Sequence, residues 1–257
     1  MLNEQTIEKL HSMRFSTLAN EYRRQMESPD TACLSFEERF AMLVDAEWTS
    51  RQNSRLKKLL HAARLRIPGA CLEDLDFDPV RKLDRGHVAR LASCSWIREH
   101  RNLIITGATG TGKTYLACAF AYAACTQGFH TRYFRVNRLL TDLAIGRGDG
   151  SYDKLMRELK KADLLLLDDW GMAVLDPASG RDLLEVIEDR SGLRSTIVSA
   201  QLPVHDWHDV FEDDTVADAV LDRLVHNAYR FELKGPSKRR METNLIANVE
   251  ASVANSE

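Results

Sequence analysis

Paired sulfur is the first thing this sequence lacks. Its 257 residues hold five cysteines (Cys33, Cys71, Cys94, Cys118 and Cys125), an odd number with no two in a CxxC arrangement. That argues against a disulfide framework and a zinc knuckle, and makes a reducing, cytoplasmic setting the expectation. Proline (6) and glycine (13) are too scarce for a collagen-like chain or a long disordered linker. Long apolar runs are missing too. A helical membrane span needs about 20 residues, whereas the most apolar run, Tyr115 to Cys125, has 11 and reads as a buried helix. The N-terminal MLNEQTIEKL has no basic stretch ahead of an apolar one, so no signal peptide is expected. His205 and His208 have no third metal ligand nearby in sequence, and no Ser/His/Asp grouping or nucleophilic cysteine has supporting context.

Net charge is also nearly absent. Lys and Arg number 35 against 38 Asp and Glu, a balance of −3 that would seem to exclude nucleic acid as a partner. The average hides two regions of opposite sign. Residues 1–70 hold 11 basic and 9 acidic residues; residues 71–257 hold 24 and 29. From Trp48 to Ala70 there are six basic residues (Arg51, Arg55, Lys57, Lys58, Arg64 and Arg66) and no acidic one. On a helix, Arg51, Arg55 and Lys58 share one face while Leu56, Leu59 and Leu60 look elsewhere. Such a cluster suits sequence-independent binding of a phosphate backbone. The same pattern is compatible with a solvated helix face.

What is present divides into two patterns. Residues 1–66 read as helical, with apolar residues recurring at helical spacing (Leu2, Ile7, Leu10; then Phe36, Phe40, Leu43, Val44). Ser28-Pro29-Asp30 marks a turn, Ser35 and Glu38 form a capping box, and Ile67-Pro68-Gly69 closes the region. The expected domains are therefore a helical N-terminal domain, 1–68, and a second domain, 69–257. In the second, short apolar runs predict strands at Leu103–Thr106, Thr131–Val136, Leu164–Leu167, Ser195–Ser199 and Tyr229–Leu233. Helical stretches alternate with them: Lys113–Gln127, Asn137–Ile145, Tyr152–Lys161, Gly180–Arg190 and Thr215–Asn227. That alternation predicts an α/β fold with a parallel sheet covered on both faces. Glu242 to Glu257 reads as a frayed polar tail.

Between the first strand and the next helix stands Gly107-Ala108-Thr109-Gly110-Thr111-Gly112-Lys113-Thr114, which fits G-x-x-x-x-G-K-[ST]. A loop of this kind turns successive backbone N–H groups onto a phosphate, which the glycines permit. Lys113 would supply charge to the β and γ phosphates of ATP, and the Thr114 hydroxyl would complete a Mg²⁺ shell. Tyr115 follows at the start of the helix, whose positive end adds to the site. Leu164 to Leu167 carry the chain to Asp168 and Asp169 at a strand's C-terminal end. Asp168 there is the candidate Mg²⁺ ligand, and Asp169 the group that orients or deprotonates attacking water.

Together, GATGTGKT, LLLLDDWG and VLDRLVHNAYRFELKGPSKRR resemble the AAA+ ATPases of the helicase-loader and replication-initiator branch, most closely the IstB-type helper proteins of bacterial insertion sequences. The helical N-terminal part and Leu72-Glu-Asp-Leu-Asp-Phe77 also fit that group, so the resemblance covers nearly the whole chain. It implies a P-loop AAA+ core that binds ATP and Mg²⁺, and further roles at matching positions. Arg223, in Asp222-Arg-Leu224, resembles the arginine finger that completes a neighbouring subunit's site. Gln201 or Ser199 would be the polar sensor at the end of a strand. Arg239 would be a second sensor, or else part of a basic tail. Relatives in the wider AAA+ group usually have Glu where Asp169 stands; the shorter acid is compatible with slow hydrolysis. Only 17 residues follow Arg240, so the helical lid is expected to be reduced.

The function implied is an ATP-dependent, DNA-binding transposition regulator. It would assemble as a homo-oligomer on duplex DNA, with ATP sites shared between subunits, and present target DNA to a partner transposase, away from any membrane. Arg132, Arg135, Arg138 and the Lys234–Arg240 cluster could line a second nucleic-acid surface. The alternative is a helicase loader, in which the N-terminal helices grip a replicative helicase.

Overall fold

The structure, a computed structural model, describes residues 2–31 and 33–237. It divides into two compact units, Met1–Lys58 and Leu59–Glu257.

Helices α1 (Leu2–Ser12) and α2 (Ser16–Glu27) and most of α3 (Phe36–Ala63) make the first unit. The foreseen capping box opens α3: the Glu38 amide donates to Ser35 Oγ (3.2 Å) and the Ser35 amide to Glu38 Oε2 (2.8 Å). The Ser28-Pro29-Asp30 signal becomes one 3₁₀ turn, Pro29–Thr31. A buried carboxylate secures α2, because Glu47 Oε2 accepts the Leu18 amide (3.0 Å) while Arg51 holds Oε1 (2.7 Å). Burial raises the Glu47 pKa, but these bonds outweigh it and hold it below the usual value. The apolar core here is small, with Ile7, Ala19 and Leu43 buried, while Phe36, Phe40 and Trp48 stand exposed.

The second unit contains a five-stranded parallel sheet in the order β2-β3-β4-β1-β5. Its strands are β1 (Asn102–Gly107), β2 (Thr131–Arg135), β3 (Leu164–Trp170), β4 (Ser195–Ala200) and β5 (Ala228–Leu233). All five foreseen strands are there, and β3 runs on past the leucines through both aspartates. Helices α4 (Arg85–Ala92) and α5 (Ser95–Arg98) precede the sheet and had no counterpart in the sequence pattern. Then come α6 (Lys113–Thr126), α7 (Val136–Asp149), α8 (Tyr152–Lys161), α9 (Pro177–Glu188) and α10 (Asp214–Val225). Helix α9 starts three residues before the expected Gly180. Asp176 caps it by accepting the amides of Ala178 (2.9 Å) and Ser179 (3.0 Å), and Pro177 sits in the first turn.

The four leucines of β3 are fully buried, as a central parallel strand requires. Leu165, Leu167, Ile104 and Val198 pack into one cluster with Leu139 and Leu143 of α7, Leu183 and Val186 of α9, and Val220 of α10. Helix α6, with Leu116, Phe120 and its alanines buried, packs on β1 to β4. Burial of one leucine is worth about 1.5–3 kcal/mol, so this sheet dominates the unit's stability. Arg190, 1% exposed, ties the end of α8 to the start of β4. Its guanidinium donates to the carbonyls of Leu159, Ala162 (2.8 Å) and Ser195 (2.6 Å). Burial and the nearby Arg194 push its pKa down to about 9, which leaves it charged at neutral pH.

Strand β1 lies between β4 and β5, while the next strand in the chain, β2, lies at the far edge. The C-terminal end of β1 is thus where the order changes direction, the position at which open α/β sheets hold ligands.

Candidate nucleotide site

The chain leaves β1 through Gly107 at φ +147°, then passes Gly110 at +85° and Gly112 at +95°. A Cβ on Gly107 would overlap the Leu233 carbonyl at the end of β5, so only glycine lets β5 close against the loop. Thr111 Oγ1 and Lys113 Nζ each donate to the Ala108 carbonyl (2.8 Å), which curls the loop on itself. Lys113 is buried at the first position of α6, where the helix N-terminus adds positive potential. Arg81 braces the loop by donating to the Thr111 carbonyl (3.1 Å) and to Asp76 Oδ2 (2.8 Å). Tyr115 accepts the Cys71 amide (3.4 Å).

The acidic side comes from β3. The Thr114 hydroxyl lies 3.2 and 3.1 Å from the two oxygens of Asp168, a carboxylate only 1% exposed. Tyr133 of β2 donates to Asp168 Oδ2 (3.0 Å). Burial and this carboxylate push the Tyr133 phenol well up, so it stays a donor. Asp169 adopts φ +58°, and the β3–β4 register shifts between Leu167 and Trp170, so the chain turns at the acid pair. Arg66 Nη1 stands 3.7 Å from Asp168 Oδ2 and 3.5 Å from Asp169 Oδ2, and Arg135 Nε is 3.4 Å from Asp169 Oδ2. Across the site, Thr109 Oγ1 donates to Gln201 Oε1 (2.7 Å), whose amide reaches Met172 Sδ (3.2 Å). Ser199 is buried on β4.

Thr109 to Tyr115, Arg66, Arg81 and Arg135 line one cavity of about 530 Å³, which runs from the loop to Asp169, Ser199 and Gln201 and is bounded by Ile67, Leu83 and Leu233. Thr114 and Asp168 present hard oxygen donors within hydrogen-bonding distance of each other, which fits Mg²⁺ completed by phosphate and water oxygens. Among the described residues no group of three or more His, Cys, Asp or Glu gathers to cage a metal.

The remaining sequence candidates lie elsewhere. Arg223, on α10, is not among the cavity's lining residues; it donates to Glu188 Oε1 (3.0 Å) and to the Ala219 carbonyl (2.8 Å). Arg51, Arg55, Lys57 and Lys58 belong to the first unit, Arg64 and Arg66 to the second, where Arg66 lines the cavity. Arg51 is already engaged, by Glu47, by the Arg14 carbonyl (3.0 Å) and by the Phe15 ring, 4.7 Å away. Arg55, Lys57 and Lys58 are exposed. Arg132 pairs with Glu158 and Arg138 with Asp142. Arg239, the Lys238–Arg240 part of the basic cluster and the lid expectation lie outside the described residues. Arg81, Tyr133 and the place of Arg135 escaped sequence reasoning. A signal existed for Arg135: once β2 adjoins β3, it falls opposite Asp168 in register.

The family model described as IstB-like ATP binding protein matches residues 8–245. A relative in Sinorhizobium fredii, named as the insertion sequence ATP-binding protein y4pL, is 43% identical over 240 residues, covering 93% of this chain and 98% of its own. The ATP-binding protein of insertion sequence IS1162 in Pseudomonas fluorescens is 46% identical over 203 residues, 79% of this chain and 88% of its own. In both names the ATP binding is itself an inference. Among solved structures, DnaI superposes with a TM-score of 0.56 at 20% identity, covering 69% of this chain and 94% of that one. AMPPCP-bound DnaA from Aquifex aeolicus gives 0.56 at 20% identity, over 70% of this chain and about half (54%) of that longer one. These likenesses show the fold of the second unit, a parallel α/β core with the phosphate loop after its first strand.

Proposed function

The chain belongs to the IstB-like ATP-binding protein family, and from that premise we propose that it is an ATP-operated DNA-binding helper of transposition. In this reading it assembles on duplex target DNA and delivers it to a partner transposase, with hydrolysis as the release step. The carrying observation is one cavity that brings Thr109–Thr114, Asp169 and Gln201 together, with Asp168 behind it on Thr114. Loop amides and Lys113 bind the phosphates. Thr114 and Asp168 hold Mg²⁺, which when bound neutralises charge on the β and γ phosphates. In this reading Asp169 positions the attacking water, and Gln201, tied to the loop through Thr109, is the γ-phosphate sensor. Ser199 is the second candidate for that role. Arg223 is one-third exposed and outside its own cavity, which supports action on a neighbouring subunit's ATP. In this reading the helices of the expected 1–68 domain grip DNA ahead of the ATPase, with Arg55, Lys57 and Lys58 supplying phosphate contacts, while its last residues, Arg66 and Ile67, line the ATP cavity.

The helicase-loader reading has one observation in its favour. Phe36, Phe40, Val44 and Trp48 form an exposed apolar series on α3, a feature that protein partners cover. A salt titration of duplex binding separates the two. Reversing Arg55, Lys57 and Lys58 to Glu is expected to flatten the log–log salt slope by about 3, close to one unit per lost phosphate contact. An unchanged slope and affinity would favour the loader.

A further inference from the structure

Arg66 was grouped by sequence with the DNA-binding residues, yet it lies in the ATP cavity beside both acidic residues. Its backbone is well fixed. Helix α3 ends at Ala63, Arg64 turns the chain at φ +51°, and Leu65 and Ala70 are buried on either side of Arg66. The backbone at Arg66 and Ile67 lies against the buried thiol of Cys118 on α6, and Cys71 is bonded to Tyr115 on the same helix. The guanidinium is the adaptable part. It is 33% exposed and stands 3.5 Å from Asp169 and 3.7 Å from Asp168, longer than a tight bidentate pair.

We propose that Arg66 is a built-in counter-cation that competes with Mg²⁺ for the Asp168–Asp169 pair and so sets how strongly nucleotide binding depends on the metal. This rests on the ATP-site reading above. Two carboxylates facing a triphosphate repel it unless a cation stands between them. Arg66 and Arg135 both stand in ion-pair range of the acidic pair, and of these two Arg66 is the one that reaches Asp168. When Mg²⁺ arrives with ATP, the metal takes Asp168. The guanidinium, on its anchored backbone and one-third exposed, then turns out to solvent and contributes little to the loaded site. No bond is made or broken in the exchange; one cation replaces another on a carboxylate.

The test is the affinity of a fluorescent ATP analogue, read by polarisation on the full chain, with saturating Mg²⁺ and again with EDTA. Arg66→Met keeps the apolar stem and removes the charge. It is expected to weaken binding about fivefold in EDTA, the range of a half-exposed charge pair, and to leave binding in Mg²⁺ within about twofold. Arg66→Lys should restore most of the EDTA affinity. Equal weakening in both conditions, no weakening in either, or tighter binding in EDTA would overturn the proposal. Lys113→Ala run alongside separates the two levels. If it binds like the native chain, the ATP-site reading fails; if it loses binding while Arg66→Met is unaltered in EDTA, only the role of Arg66 fails.

Discussion

The two units of this chain treat their largest apolar residues in opposite ways. In the second unit Trp96, Trp170 and Trp207 are all but fully buried, and Trp170 and Trp207 pack at 5.1 Å. In the first, Phe36 is 76% and Trp48 64% exposed, while the interior holds a carboxylate and an amide, Glu47 and Gln25. One unit spends its aromatics on its own stability. The other keeps them on its surface and fastens its helices with local polar bonds. A nucleotide site needs atoms fixed within fractions of an ångström, which only the first strategy supplies. A surface meant for partners benefits from the second.

The strongest way to break this contrast is at Arg190. Replacing it with Ala strips donors from three buried carbonyls, and about 3–5 kcal/mol of stability in the second unit should go with them. Calorimetry of the full chain would show the drop; a loss below about 1 kcal/mol would mean that this buried bonding does not hold the unit together. Next in size, Lys113→Ala should lower ATP affinity about 100-fold, near 2.7 kcal/mol, by isothermal titration, while the melting temperature without nucleotide moves little. A smaller effect is expected with pH. Burial and then Arg90 lower the His87 pKa, and its ring lies 4.6 Å from that of Phe231. Its unfolded value is near 6.5, so below that pH the unfolded chain takes up more protons and stability declines. Melting curves at falling pH should show a decline that His87→Gln flattens. Last, Trp48→Ser should change stability by no more than about 0.5 kcal/mol, as at other exposed positions. A cost above about 1.5 kcal/mol would show that the exposed aromatics of α3 are structural after all.

Much of the second unit was legible from the residues. The leucine run of β3, the glycine spacing after β1 and the strand–helix alternation gave the sheet and the loop, because each rests on a local rule. Asp168 and Thr114 could be paired in advance for the same reason. Arg66 could not. In sequence it sits among five other basic residues with no acid in sight, and its partners lie about a hundred positions further on. Charge patterning along the chain reports composition, whereas the role of a cation depends on which anions the fold brings to it. Helices α4 and α5 escaped for another reason: they are short, and their burial comes from Val88, Leu91, Trp96 and Ile97, too few residues in each to establish a period. Arg81, which braces the loop from a 3₁₀ turn, has no local signature at all.

The left-handed turn at Asp169 also filters what mutation can place there. Asp and Asn enter that backbone region more readily than longer side chains do. Glu would carry the same charge at a conformational disadvantage, while Asn would keep the shape and discard the charge. One base separates an Asp codon from an Asn codon. If Asp169 has the role proposed for it, a chain that folds and grips ATP but no longer activates water is a single mutational step away, and the geometry of the turn would do nothing to hinder it.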